Sequence, residues 1–458
     1  MDTQPRKGNA EGISLLMGDP KKAIVKLSGP MIVAMFLMST YNIINAIWVA
    51  GLGSDALAAV GFVTPLFMIL VGVGNGLGAG VASVISRRIG AKNKEGADNA
   101  AVHALLLTIV LSAIFTIPLI LLTSPIVSLF GAGKTAGLAT EYGQVVFLGI
   151  VLILFTNIAY AILRAEGDTK RAMYVMGVSS VLNMILDPLL IYTAGMGIAG
   201  AAWGMLISLA VVSGVLLYWF FIRRDTYVTI SYSSFSYDKK TARDILGVGL
   251  PASTEFFLMS ILAIFINSML VTVAGTDGVA IYTAGWRVVF FAIIPLVAIG
   301  TSVISVAGAA YGARQFTKIR TAHTFSITLG IAISLAISAI TFLFARQIAT
   351  IFTYSPASAH LAPEIAAFLA TMCFFYPFVP PGIMSGSVFQ ATGKGLTSLI
   401  ITILRNLIFI AVFAYLIGIV LGFGEHGIWW GIVAGDILGG IVSFVWARVY
   451  ISRLLANQ

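Results

Sequence analysis

The chain has 458 residues, of which 59% are hydrophobic and only 10% charged, with a formal net charge of +9 and a mean hydropathy of +0.99. A soluble domain carries about 25% charged residues, so a water-soluble globular fold is excluded and a polytopic membrane protein is implied. The positive charge lies in short loops on one side, which is the pattern of membrane topology and not of a nucleic-acid-binding face.

Taken in order, Met1–Asp19 is polar and lacks a cleavable-signal pattern, so the first span itself directs insertion. Apolar segments of about 20 residues or more follow at Ala23–Gly51, Leu57–Ile85, Ala97–Leu122, Gly137–Leu163, Ala172–Ala194 and Ile198–Ile222. After the polar stretch Arg223–Arg243 come Ile245–Ala274, Val279–Ala307, Ala322–Phe344, Pro363–Phe389, Ser398–Gly422 and Ile428–Ile451. Twelve transmembrane helices are therefore expected, in an all-α integral membrane fold. Lys and Arg crowd the loops on the side of the N-terminus (Lys21, Arg87, Lys170, Arg223, Lys239, Arg314, Lys394 and Arg448 among them), whereas the other side holds only Lys134 and Arg346. Both termini are then expected in the cytoplasm of a multi-pass plasma-membrane protein.

The two halves look alike. Leu27-Ser-Gly-Pro30 opens the first span and Val248-Gly-Leu-Pro251 the seventh. Arg88-Ile-Gly90-Ala-Lys92 matches Ala310-Tyr-Gly312-Ala-Arg314 after the second and eighth spans. Ile162-Leu-Arg-Ala-Glu-Gly167-Asp matches Val388-Phe-Gln-Ala-Thr-Gly393-Lys after the fourth and tenth. Because each half holds six spans, the repeat keeps its membrane orientation. Two six-helix lobes are expected, related by a pseudo-two-fold axis along the membrane normal, with a cleft between them. The expected organisation is a cytoplasmic segment 1–22, an N-lobe 23–222, a cytoplasmic linker 223–243, a C-lobe 244–452 and a tail 453–458.

Charged residues inside apolar spans are costly, and each is a candidate functional group. Asp187 lies four residues after Asn183, so both occupy one helix face. Pro188 removes a backbone bond and frees the carbonyl of Met184. Carboxylate, amide and loosened backbone together make a place for a proton or small cation. In the C-lobe, Glu255 one turn beyond Pro251 is either a coupling group or an interfacial acid near a helix start. Asp436, in a glycine-rich stretch of the last span, either faces the cleft or pairs with Arg405 or Arg287. No nucleotide-binding loop and no nucleophile elbow are present. The single Cys373 and four scattered histidines offer no metal-ligand spacing, so no enzyme, cofactor or metal is expected beyond a coupling ion, H+ or Na+.

The ordered set Tyr41-Asn, Ile47-Trp-Val-Ala-Gly-Leu-Gly53, Ser86-Arg-Arg-Ile-Gly-Ala91, Ile162-Leu-Arg-Ala-Glu-Gly-Asp168, Leu182-Asn-Met-Ile-Leu-Asp-Pro188 and Gly308-Ala-Ala-Tyr-Gly312 resembles the multidrug and toxic compound extrusion (MATE) transporters, and within them the archaeal DinF-like branch. The likeness runs from about Gly18 to Arg453. It implies V-shaped lobes and export of drugs or metabolites against an inward flux of protons or sodium. It also implies a cation site in the N-lobe, made here by Asp187, Asn183, Asn157 and Tyr41. Asn45 stands where the branch carries an aspartate, Met205 where it carries a cation-binding threonine, and Tyr160 at a nearby polar position. Sodium needs several oxygen ligands, and the two replacements remove a charge and an oxygen. Desolvation disfavours a lone carboxylate, which suits proton carriage, so proton antiport is favoured over sodium. An uncoupled facilitator and a flippase for lipid-linked precursors are the alternatives. Tyr160, Met205, Phe256, Met259, Phe290, Met372 and Phe375 are candidates to line the substrate cleft, with Phe257, Phe291, Phe374, Tyr376 and Met384 beside them. Aromatic and methionine surfaces suit amphipathic, flat, cationic substrates. The protein is expected to be a monomer whose partners are such substrates and membrane lipid.

Overall fold

The computed structural model describes residues 7–231, 235–353 and 358–457. Its elements are α1 (Lys7–Met17), α2 (Pro20–Ala50), α3 (Ser54–Gly90), α4 (Lys94–Leu129), α5 (Ala136–Leu148), α6 (Ile150–Ala165), α7 (Thr169–Pro188), α8 (Gly197–Leu217), α9 (Lys239–Gly312), α10 (Phe316–Phe352), α11 (Ala362–Met372), α12 (Val379–Ala391), α13 (Gly395–Thr402), α14 (Ile410–Tyr415) and α15 (Gly424–Ala456). Ten continuous helical runs, two of which join α11 to α12 and α13 to α14, are long and apolar enough to cross a membrane. The fourth span adds one as the bent pair α5 and α6. The 74-residue α9 counts twice, because Gly275 breaks it with φ 63° and ψ −151°. Twelve spans in two lobes result.

Local chemistry sets the boundaries. Asp19, Asn93, Asp168 and Asp238 each accept a backbone N–H from the first turn of α2, α4, α7 and α9, satisfying donors that a helix start leaves open. Capping by Asp238 starts the seventh span at Lys239, six residues ahead of the expected Ile245, so the described residues without helix between the lobes are 224–231 and 235–238. The N-terminal segment contains α1, whose Leu16 is buried among Val303, Val306 and Ala307. Gly12 of α1 lies so close to the 166–167 turn that a Cβ there would sit 2.6 Å from the Glu166 carbonyl oxygen.

The repeat reappears in the backbone. Positive φ angles occur at Gly53 and Gly275, Lys92 and Arg314, Gly167 and Gly393, Gly195 and Gly422, and Gly197 and Gly424. Each pair is separated by 222 to 227 positions, the lag of the sequence motifs. Equivalent spans thus end in equivalent turns, at places where a left-handed residue reverses the chain.

The lobes share their cores only at one end. Glycines of α3 let it approach α9 closely: a Cβ on Gly76 would meet Ser253 N at 2.3 Å, on Gly80 the Ile245 oxygen at 2.3 Å, and on Gly90 the Ala309 oxygen at 1.9 Å. Ser83 Oγ donates to the Gln390 carbonyl at 2.5 Å across the same seam. All of these lie toward the face that carries the termini and most of the Lys and Arg. Clusters in that half mix residues of both lobes, such as Ile245 with Ile85 and Ile24 with Ile299. Clusters in the opposite half, around Phe147 and around Phe368, each belong to one lobe. The molecule is sealed on the basic face and divided on the other. Outward-facing apolar side chains such as Leu121 and Leu343, 72% and 71% exposed, would be costly in water and cost nothing in hydrocarbon.

Candidate functional site

Asp187 sits in the last turn of α7 and is fully enclosed, at 0% exposure. Its Oδ2 accepts a hydrogen bond from Asn45 Nδ2 of α2 at 2.7 Å, while Oδ1 has no partner. Asn183, one turn earlier on the same face, is also buried, and its Oδ1 likewise has no partner. Pro188 does what its chemistry dictates: the chain continues as a widened π-turn over Leu189–Thr193, closed by Ala194 N to the Leu189 carbonyl at 2.8 Å. A proline that removes a regular helical bond is accommodated in this way. From α8, Gly204 backs the carboxylate, since a Cβ there would lie 2.5 Å from Asp187 Oδ1. Tyr41 of α2 and Tyr142 of α5 are near enough for the Asp187 charge to act on them. Trp48 and Tyr192 tie α2 to the π-turn through a Tyr192 hydroxyl bond to the Trp48 carbonyl.

Two buried oxygens without donors, one turn apart, are the kind of vacancy that buried polar groups seldom tolerate. A proton or a small cation would satisfy them. Asn157 donates to the Ile153 carbonyl at 2.8 Å and packs under Gly74. Tyr160 is enclosed in the N-lobe core, which corrects its reading as a cleft residue. Met205, beside Gly204, offers no oxygen and is partly buried against the other lobe-core cluster. Reading the sequence alone missed Tyr142 and Gly204; no spacing signal connects either to Asp187.

In the C-lobe the two acids part company. Glu255 accepts from Ser398 Oγ at 3.0 Å and Gln390 Nε2 at 3.3 Å. It lies 16 residues into α9, about 24 Å along the axis at 1.5 Å per residue, so the interfacial reading is corrected. Asp436 is 1% exposed, 3.6 Å from Arg405 Nε. Arg405 also donates to Asn406 Oδ1 at 2.8 Å and to the Val379 carbonyl at 3.3 Å. A cleft-facing Asp436 is corrected to a buried pair. Glycines explain the approach: Gly439 leaves room for the Arg405 side chain, and Gly435 brings α15 against Ile410.

The cleft-lining expectations divide. Phe256, Met259 and Phe290 are exposed, and Phe256 packs on Gly72 of the other lobe. Met372 and Phe375, at 0% and 5% exposure, belong to the C-lobe core, as does Tyr376; Met384 is fully buried as well. The tenth span breaks between Met372 and Val379, with a short turn over Tyr376–Phe378. Phe291 stacks on Phe36 across the lobes with ring centroids 6.4 Å apart. Arg287, one turn before Phe291 on the same face, is exposed and has no ion-pair partner among the described residues.

On the terminal face, Glu166 is buried and accepts from Tyr227 N at 2.9 Å and Val228 N at 3.0 Å. Burial pushes its carboxyl up to about 8, against the pull of those two backbone donors. Asp98 accepts from Thr229 N at 2.8 Å, Asp225 pairs with Arg171 at 2.9 Å, and His103 Nε2 accepts from Asp238 N at 3.0 Å. N-lobe groups therefore hold the connection at residues 225–229 and again at Asp238, the residue before α9.

The family model described as MatE matches residues 30–189 and 251–416. The multidrug export protein MepA of Staphylococcus saprophyticus is 26% identical over 439 residues, covering 95% of each chain. Its counterpart in Staphylococcus aureus NCTC 8325 is also 26% identical, over 438 residues and 95% of each chain. Among solved structures, an outward-facing multidrug resistance MATE family transporter of the MOP superfamily aligns with TM-score 0.95 and 43% identity, covering 99% of this chain and 100% of that one. A MOP superfamily transporter from Pyrococcus furiosus, described as having a binding pocket of reverse polarity that suggests a different function, aligns with TM-score 0.94 and 42% identity over 98% of this chain and 99% of that one.

Proposed function

We propose, from the premise that this chain belongs to the MatE family of multidrug exporters, that it is a secondary active exporter of amphipathic small molecules, driven by inward proton flux through Asp187. The observation that carries this reading is the pair of buried, partnerless oxygens on Asp187 and Asn183. A proton on Asp187 turns an acceptor into a donor, and Asn183 and the Met184 carbonyl released by Pro188 are the local acceptors. The same proton weakens the acceptance from Asn45, which is strongest for a charged oxygen. Loading therefore exchanges a bond to α2 for a bond within α7, at the point where the backbone is already widened. Sodium is less well served, because Met205 supplies no oxygen and Asn45 faces the carboxylate with its amide nitrogen.

With Lys and Arg marking the cytoplasmic side, both termini are cytoplasmic and the sealed basic face is the inner one. The described state is then open to the outside, poised to release substrate. Likeness at TM-score 0.95 to an outward-facing transporter supports that assignment.

A second reading concerns substrate charge. The aromatic walls suit flat cations, but the cleft's exposed formal charge at membrane depth is Arg287, while Asp187, Glu255 and Asp436 are turned into their lobes. Intramembrane arginines face water-filled cavities or protein rather than lipid. This favours substrates that add an anionic group to an apolar, flat body.

The test is dye export from proteoliposomes under an imposed pH gradient, with and without a sodium gradient, for the wild type and Asp187→Asn. Export driven by the pH gradient and lost in the variant is expected. Export driven only by sodium, or undiminished in the variant, overturns proton coupling through Asp187. Parallel use of one cationic and one anionic dye, with Arg287→Gln, decides the polarity: the arginine variant should lose the anionic dye selectively.

A further inference from the structure

The face opposite the termini holds a group of side chains that the export mechanism does not use. Glu364 stands in the first turn of α11, just after Pro363. Glu425 and His426 open α15, directly after Gly424 with φ 62°. The positions are 61 residues apart in sequence, yet one ligand atom from each of the three lies within 4.8 Å of the others. His426 Nε2 is 3.2 Å from Glu364 Oε2. The individual atoms Glu364 Oε2 and Glu425 Oε2 are covered and accept no hydrogen bond, while the Glu364 and His426 side chains remain 42% and 52% exposed, so the group is open to ions from solvent.

We propose that Glu364, Glu425 and His426 form a binding site for a divalent transition-metal ion of the Zn2+ or Co2+ class. A first-turn glutamate suits the positive end of a helix, which explains an acid at each helix start. It does not explain why two such acids turn their enclosed oxygens toward one imidazole. A charged histidine neutralises one carboxylate and leaves the other without a donor. A divalent cation neutralises both and uses all three groups. One imidazole with two carboxylates matches borderline metals better than Mg2+ or Ca2+, which take oxygen ligands throughout. Tetrahedral bonds of about 2 Å put ligand atoms about 3.3 Å apart, so the three atoms need close by no more than about 1.5 Å.

The surroundings hold the ligands in place. The His426 ring packs edge-on against buried Trp429, with centroids 4.5 Å apart. Gly278 of α9 lies against Glu425, a Cβ there coming within ordinary contact of Oε2 at 3.4 Å. All three ligands belong to the C-lobe. The ion would clip the outer half of the broken tenth span to the last span without crossing the cleft, so it stabilises one lobe and does not lock the transporter. Histidine spacing in the sequence implied no metal site; the fold brings together ligands that the spacing could not.

The test uses the full-length, untagged protein in lipid nanodiscs, with Co2+ as a spectroscopic probe and Zn2+ as competitor. One Co2+ per chain is expected, giving ligand-field absorption bands that Zn2+ abolishes. His426→Gln and Glu425→Gln should each weaken binding by about tenfold or more, a loss at least as large as for outer-shell partners. His360→Gln serves as control: His360 pairs with Asp277 at 3.1 Å outside the triad, and its loss should leave binding unchanged. Absence of Co2+ uptake at millimolar ion overturns the proposal, as does uptake indifferent to both triad variants. Metal-free thermal unfolding verifies folding, and Glu364→Gln replaces any variant that fails it.

Discussion

Gly204→Ala probes the proposed coupling site without touching an ionisable group. An added Cβ would lie 2.5 Å from Asp187 Oδ1, 3.5 Å from its backbone nitrogen and 3.6 Å from its Cα, whereas ordinary contacts begin at 3.4 Å. The carboxylate therefore has to swing by about 0.9 Å, or α7 and α8 have to part. Overpacking of this kind costs about 1–3 kcal/mol. A swing also strains the 2.7 Å bond from Asn45, and a hydrogen bond to a charged group contributes about 1.5–3 kcal/mol. If that bond is lost in the coupled step, export driven by a pH gradient falls by roughly 10- to 150-fold, at 1.36 kcal/mol per factor of ten. The control is Gly214→Ala on the same helix, where a Cβ meets nothing within 4 Å. Dye export from proteoliposomes and thermal unfolding are measured for both variants. Equal export by the two alanine variants would refute the claim that Gly204 shapes the Asp187 niche.

Arg405→Ala should destabilise the protein by about 3–5 kcal/mol, because it leaves Asp436 charged and buried; Arg405→Met combined with Asp436→Leu should recover most of that loss in thermal unfolding, and a double variant no better than the single one would count against the pairing. Gly76→Ala should loosen the inner seal, since its Cβ would strike Ser253 N at 2.3 Å; a cysteine replacing fully buried Ser86, in a Cys373→Ser background, should then react faster with a membrane-impermeant thiol reagent from the terminal side. Glu166 takes up its proton more readily when folded, near pH 8 against an ordinary 4.5, so its contribution to linker docking is complete below pH 4.5 and is lost as pH rises through 8. Hydrogen exchange at Tyr227 and Val228, corrected for the intrinsic pH dependence, should accelerate above pH 8 in the wild type and not in Glu166→Gln; a variant that retains the acceleration assigns it to another group.

Twelve spans and the six-plus-six repeat were legible from residue order, because span length and motif order are local quantities. The caps at Asp19, Asn93, Asp168 and Asp238 emerge with the structure, whereas the paired turns at Gly167 and Gly393 are likewise written in short motifs. So is the common face of Asn183 and Asp187, since four residues make one helical turn.

What only the tertiary structure decided is which face meets what. Lipid tails are as apolar as a protein core, so a hydrophobic span carries no signal separating bundle from bilayer. That is why Met372 and Phe375, read as cleft-lining, lie in the C-lobe core, and why Asp436 looks inward to Arg405. Asn45 reaches Asp187 across 142 residues, and Glu364 reaches His426 across 62. Contacts of this kind depend on how glycines such as Gly204 and Gly439 let helices approach, which is a property of packed neighbours and not of any one stretch of chain.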